Sequence, residues 1–340
     1  MDRKNYIPTE QIDKRNEYTK TYAVGPAEYT AFSSPVPLHV FKDNTWLPCD
    51  ARFMPDKEYG ENSLVSRGCY LTAVCAPSGK DAFITVADYK DHSLSWSIEG
   101  AKAVVPEVVE EKIPETEDPA EGMFLEAMFK AQGSVRYPEI FPGVTVTCRM
   151  DGRFKDCFVY QDRTAVKPVT FIIKTSLRPE SKEDGSVILR DEKDETVFIL
   201  TSPTLFDAVG NAGSVKTDFS LSENGFSLTY TPDAAFMETA AYPVTLDPVI
   251  TTGSSAVDDT YVNSASPTTN YNSSTYIYAS NDGSMGTRYG LIRFGSLPGI
   301  ASNHFMTRGT LTIANVQKPS STTLLPERSR RPNIQMEPRA

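Results

Sequence analysis

The residues of this chain with the clearest chemical potential lie in its last third. Asp258 and Asp259 are adjacent carboxylates at the head of a strand-like run, hard oxygens of the kind calcium takes. The same pair also reads as a plain turn. In Thr275-Tyr-Ile-Tyr-Ala279, strand periodicity puts the rings of Tyr276 and Tyr278 on one face. An apolar ring with a polar tip suits stacking on a sugar, although strand tyrosines more often line a core.

No catalytic set assembles from the remainder. There is no Gly-x-Ser-x-Gly nucleophile elbow and no phosphate-binding loop. His92 stands between Asp91 and Ser93, but a triad converges in space rather than in sequence. With three histidines (His39, His92, His304) and five cysteines lacking any Cys-x-x-Cys pair, a zinc site is not expected. Cys148 and Cys157 flank Asp151-Gly152, a turn signal between two apolar-rich runs. A hairpin about Gly152-Arg153 would set the two sulfurs opposite each other as a disulfide; two buried thiols fit the same spacing.

The elements that must carry these residues are short strands. Leu94, Trp96 and Ile98 alternate with Ser93, Ser95 and Ser97, a period of two. Similar β-branched or aromatic runs occupy 70–75, 83–87, 144–148, 157–160, 169–173, 186–189, 196–200 and 226–230, with turns such as Asp184-Gly185 and Asn224-Gly225 between them. This spacing is that of an all-β sandwich or barrel. Two segments break the pattern. Residues 106–122 hold seven acids and three prolines and read as a solvated surface insertion, with one short helix behind it at 122–129. From 318 to 340 the periodicity vanishes, as in a disordered or out-of-frame tail.

Composition sets outer bounds. The 340 residues carry 34 Lys+Arg against 44 Asp+Glu, a net charge of −10. This acidity argues against a nucleic-acid partner. No run approaches the ~18 apolar residues of a membrane span. Behind Met1 the chain is charged at Asp13, Lys14, Arg15 and Glu17, so no export signal is read.

Asp258-Asp-Thr-Tyr-Val262, Thr269-Asn-Tyr271, Arg288-Tyr-Gly-Leu-Ile-Arg-Phe294 and Gly309-Thr-Leu-Thr-Ile313 together resemble the opening of the DNRLRE domain, a β-sandwich carbohydrate-binding-type module of secreted bacterial and archaeal proteins. Upstream, Arg15–Tyr22, Pro37–Asp43 with Trp46, Tyr137–Val144, Ser202–Ala208, Leu228–Asp233 and Tyr242–Pro248 occur in an order that resembles the region before that module in wall-associated RHS/YD-repeat proteins of Gram-positive bacteria. The resemblance implies a non-catalytic, secreted or wall-associated adhesion or presentation module that meets cell-wall polysaccharide. It implies sugar contacts at Tyr261, Asn270, Tyr271 and Arg288, besides the tyrosines named above, with calcium at Asp258 and Asp259 as the one candidate cofactor. A structural β-rich spacer and, behind it, a polysaccharide-degrading enzyme are the alternatives. Together with a composition shift near residue 250, where Thr251-Thr-Gly-Ser-Ser255 reads as a polar linker, it gives an ordered division: a flexible start (1–14), a β-sandwich-like region (15–250), the linker (251–255), an incomplete jelly-roll or β-sandwich module (256–317) and the tail (318–340), as in a truncated gene product.

Overall fold

The computed structural model describes residues 6–68, 70–79, 81–89, 91–251, 257–269, 280–282 and 286–294. The protein is all-β, as its strand periodicity requires, and every strand pairing described is antiparallel.

Near the N-terminus, β1 (Thr9–Glu10), β2 (Thr19–Gly25) and β3 (Glu28–Ser33) form a three-stranded sheet, and β4 (His39–Lys42) with β5 (Thr45–Pro48) forms a hairpin. Strands β6 (Met54–Pro55), β7 (Leu64–Arg67), β8 (Thr72–Cys75), β9 (Ile84–Tyr89) and β10 (His92–Ile98) run on as one antiparallel series. The chain then crosses to a second sheet through β11 (Glu107–Val108), helix α1 (Pro119–Lys130), β12 (Gly133–Phe141), β13 (Val144–Met150) and β14 (Phe154–Tyr160). It returns to the first sheet with β15 (Val169–Lys174), and β16 (Arg178–Ser181), β17 (Val187–Arg190) and β18 (Thr196–Leu200) extend the second. Short strands β19 (Thr204–Phe206) and β20 (Ala212–Gly213) follow, then β21 (Val215–Ser222) and β22 (Gly225–Pro232), which complete an eight-stranded first sheet. Helix α2 (Ala234–Thr239), β23 (Val244–Asp247) and β24 (Val249–Thr251) close an eleven-stranded second sheet. A three-stranded sheet of β25 (Val257–Asn263), β26 (Ser280–Asp282) and β27 (Gly286–Phe294) ends the described chain.

The two large sheets meet face to face, and alternation explains why. On β13 the residues Val144, Val146, Cys148 and Met150 are buried, while Thr145, Thr147 and Arg149 point away; on β10 the buried set is Leu94, Trp96 and Ile98. Trp96 meets Phe154 edge-on at 5.5 Å between centroids, and Phe158 meets Phe171 in the same way at 5.5 Å. Each such buried ring contributes about 1.5–3 kcal/mol by leaving water. A smaller core joins Tyr22, Val36, Leu38, Cys49 and Ala131 to the inner face of α1, where Phe124 stacks on Phe32.

The helix expected at 122–129 begins earlier, at Pro119. Asp118 caps it, its carboxylate accepting from the Ala120 and Glu121 amides. The acidic stretch before it is largely exposed, yet Glu107-Val108 pairs with β12 as an edge strand. The tail at 318–340 lies outside the described residues.

Candidate functional site

The residues singled out in the last third are only partly brought together. Strands β25 and β27 pair so that Asp258 lies opposite Arg293, Asp259 opposite Ile292, Tyr261 opposite Gly290 and Asn263 opposite Arg288. Tyr261 is buried, so its ring packs inward rather than standing free for a sugar. The exposed side of this sheet carries Val262, Tyr289 and Leu291 instead. Asn270, Tyr271, Tyr276 and Tyr278 lie outside the described residues, as do the side chains of Asp258 and Asp259. Among the described residues no group of three or more His, Cys, Asp and Glu side chains could hold a metal ion.

The disulfide expected between Cys148 and Cys157 does not form; both are free thiols. The reason is register. The turn runs through Asp151-Gly152-Arg153, so Met150 pairs with Phe154, Cys148 with Asp156 and Cys157 with Thr147. One residue of offset sends the two sulfurs to opposite faces. Cys148 enters the core, while Cys157 looks outward and donates to Asp247 Oδ1 at 3.1 Å. Among the described cysteines, Cys49 is engaged in a disulfide.

Two polar clusters that sequence reasoning missed are the densest chemistry in the described chain. In the first, β1, β2, β4 and the turn at Arg15 converge on Glu10. Arg15 Nε donates to Glu10 Oε1 at 2.8 Å and Arg15 Nη2 to Oε2 at 3.0 Å; Lys20 Nζ also donates to Oε1 at 2.8 Å. His39 is fully buried, its Nδ1 donating to the Asn16 carbonyl at 2.7 Å and its Nε2 standing 3.5 Å from Glu10 Oε1. Burial by itself would raise the Glu10 carboxyl, but the contact with His39 and the hydrogen bonds from Arg15 and Lys20 outweigh it and hold that carboxyl far below the usual carboxylate range. Burial pushes Lys20 the other way, down from the ordinary lysine value. Three basic side chains on one carboxylate resemble the tools of phosphate chemistry. Yet Lys20 and His39 are buried, and the Trp46 carbonyl of the hairpin takes Arg15 Nη1 at 3.0 Å. The cluster ties β1 to the hairpin and offers no open face to a polymer.

In the second cluster Asp156 points between the two large sheets. It is 2% exposed, and Trp96 Nε1 donates to its Oδ2 at 3.1 Å across the sandwich. Leu94, Phe171, Leu228 and Tyr230 line the small void beside it. Burial pushes the Asp156 carboxyl well above the usual range; the Trp96 bond opposes this and the nearby Asp247 adds to it. The sequence held a signal for it: Phe154-x-Asp156-x-Phe158-x-Tyr160 places this acid on the apolar phase of its strand.

No family model matches the chain, and no solved structure matches it. Similar curated proteins do exist. Over 89% of this chain it is 26% identical to the tRNA(Glu)-specific nuclease WapA of Bacillus subtilis subsp. natto and equally to the tRNA nuclease WapA of Bacillus subtilis. Over 90% it is 25% identical to the tRNA3(Ser)-specific nuclease WapA of Bacillus spizizenii. The chain spans 13–14% of the length of these relatives.

These findings correct the functional expectations. The DNRLRE and RHS/YD-repeat resemblance is not supported, because no family model matches and the relatives are named as tRNA nucleases. Short strand motifs such as 258–262 and 288–294 carry a pleat pattern that unrelated sheets share. The expectation of a non-catalytic polysaccharide-binding module falls with it, as does that of a chain unconnected with enzymes, since each relative is named for an enzymatic activity. The exclusion of nucleic acid is overturned on the same ground. Net charge averages over a whole segment, whereas phosphate contact is local, and this segment matches about an eighth of each relative. No helix among the described residues is long and apolar enough to cross a membrane.

Proposed function

We propose that this chain is a region of a tRNA-cleaving nuclease, and one that nucleases of different tRNA preference have in common. The evenness of the matches carries the reading. The identity is 26% to a protein named for tRNA(Glu) and 25% to one named for tRNA3(Ser), over 89% and 90% of the chain. Sequence-specific RNA recognition works through side chains that read base edges and stack on splayed bases. A region that chose the tRNA would side with one relative over the other; this region does not.

The test is an exchange. The matching region of the Bacillus subtilis subsp. natto relative is replaced by this chain, and the chimera is incubated with total tRNA. Retained cleavage of tRNA(Glu) is expected. A switch to another tRNA overturns the shared-region reading, and intact tRNA with the natural protein that carries this chain overturns the nuclease reading.

Secretion or a place at the cell wall is part of this proposal. The disulfide at Cys49 supports it, because such bonds persist outside the reducing cytosol. So is the division at the 251–255 linker, which the end of the second large sheet at Thr251 supports.

A further inference from the structure

We propose that β21 is a self-association edge, on which a second copy of this chain adds its own β21, antiparallel, about a two-fold axis at Thr217. Among the described residues β21 ends the eight-stranded sheet and pairs only with β22. The other ends of the two large sheets are blunted in ways that discourage a further strand. β6 and β11 have two residues each, with Pro55 on β6, and β16 carries Pro179. By contrast β21 is eight residues long and holds no proline, and Leu221 near its end is 68% exposed.

The backbone fixes which groups this edge offers. Glu223 and Asn224 make a two-residue turn, so Ser222 and Gly225 exchange both of their hydrogen bonds. The exchange recurs at every second residue. It holds to the strand's other end, where the Asp233 amide donates to the Ser214 carbonyl at 3.0 Å. Even-numbered residues of β21 therefore direct their amides and carbonyls to β22. Those of Val215, Thr217 and Phe219 point away from the sheet.

This parity admits a pairing of β21 with itself. An antiparallel copy centred on Thr217 sets that residue opposite its own counterpart, Val215 opposite Phe219 and Phe219 opposite Val215, each pair with its outward amides and carbonyls aligned to bond. On the other face Lys216 falls opposite Asp218 and Asp218 opposite Lys216, at the closer spacing of a non-hydrogen-bonded pair. Both charges stand free in water: Lys216 Nζ lies 2.8 Å from Asp218 Oδ1 of its own strand, and the side chains are 72% and 52% exposed. In the pair the four charges alternate in sign, and apolar side chains meet apolar ones. A centre one residue to either side would set Asp218 against Asp218 or Lys216 against Lys216, so charge selects the register at Thr217.

Sedimentation velocity over a dilution series of the full chain is the test, and a reversible monomer–dimer equilibrium is expected. Thr217→Pro removes an amide that β22 does not use; this variant is expected to keep the wild-type far-ultraviolet spectrum and to sediment as a monomer. Lys216→Glu and Asp218→Lys each set like charges opposite one another at two places in the pair. Each is expected to raise the dimer Kd about tenfold or more. An equimolar mixture of the two variants restores opposite charges across the edge and is expected to regain the dimer, as is the double variant K216E/D218K. Both positions are exposed, so these variants probe the edge without disturbing the core. A chain that stays monomeric at every concentration overturns the proposal. So does a dimer that survives Thr217→Pro, or one indifferent to both charge reversals.

Discussion

Glu10 and Asp156 are two acids whose surroundings drive them in opposite directions, and each carries a pH dependence of its own. The Glu10 carboxyl is lowered in the folded chain, so its contribution is present above the unfolded carboxylate range, near pH ~4.3, and is lost as pH falls through the folded value. Glu10→Gln leaves Lys20, His39 and Arg15 without their anion. It should cost roughly 3 kcal/mol at neutral pH and flatten the acid limb of a urea-denaturation series. The Asp156 carboxyl is raised, so its contribution is complete below about pH 3.9 and is lost as pH rises toward the folded value. Asp156→Asn keeps an acceptor for Trp96 Nε1 and removes the ionisable proton. The variant should melt at or above the wild-type temperature at pH 7, with the gap closing toward pH 4; calorimetry across that range checks it, and a gap that widens at low pH would sink the assignment.

At the scale of elements, strands and helix follow different rules. The strands were legible because alternation is local: Leu94, Trp96 and Ile98 announce which face of β10 turns inward, and the structure buries all three. Helix α1 was legible from Gly122 on but not in its first three residues, because the opening rests on a cap and a proline inside an acidic stretch that reads as loop. Asp118→Ala removes an acceptor for two backbone amides, the nearer at 2.8 Å. About 1 kcal/mol of stability should go with it, seen as a lower denaturation midpoint with an unchanged slope. Register was the least legible feature. A two-residue turn and a three-residue turn look alike in Asp151-Gly152-Arg153, yet they decide whether Cys148 faces Cys157 or Asp156.

The whole molecule depends on the meeting of two sheets whose strands interleave in sequence. β15 returns from the second sheet to lie between β10 and β22, so neither sheet closes before the other is partly built. Phe154 sits at the centre of that contact, against Trp96. Phe154→Ala should cost roughly 3–5 kcal/mol and lower the midpoint of both near-ultraviolet and far-ultraviolet transitions together. Separate transitions would show that the sheets are not one cooperative unit.

Sequence by itself determined the all-β class, the positions of nine strands of the two large sheets, the inward-facing set on β10 and the lack of a long apolar run, because each of these is written in spacings of two to about twenty residues. It could not determine which distant groups meet. Glu10 with His39 and Trp96 with Asp156 are joined only when β1 reaches the hairpin and the two sheets close. Those pairings depend on register and on long-range topology, where a single-residue offset reverses every side chain. Function lay further off still: a net charge of −10 describes the average over the chain and not what it acts upon.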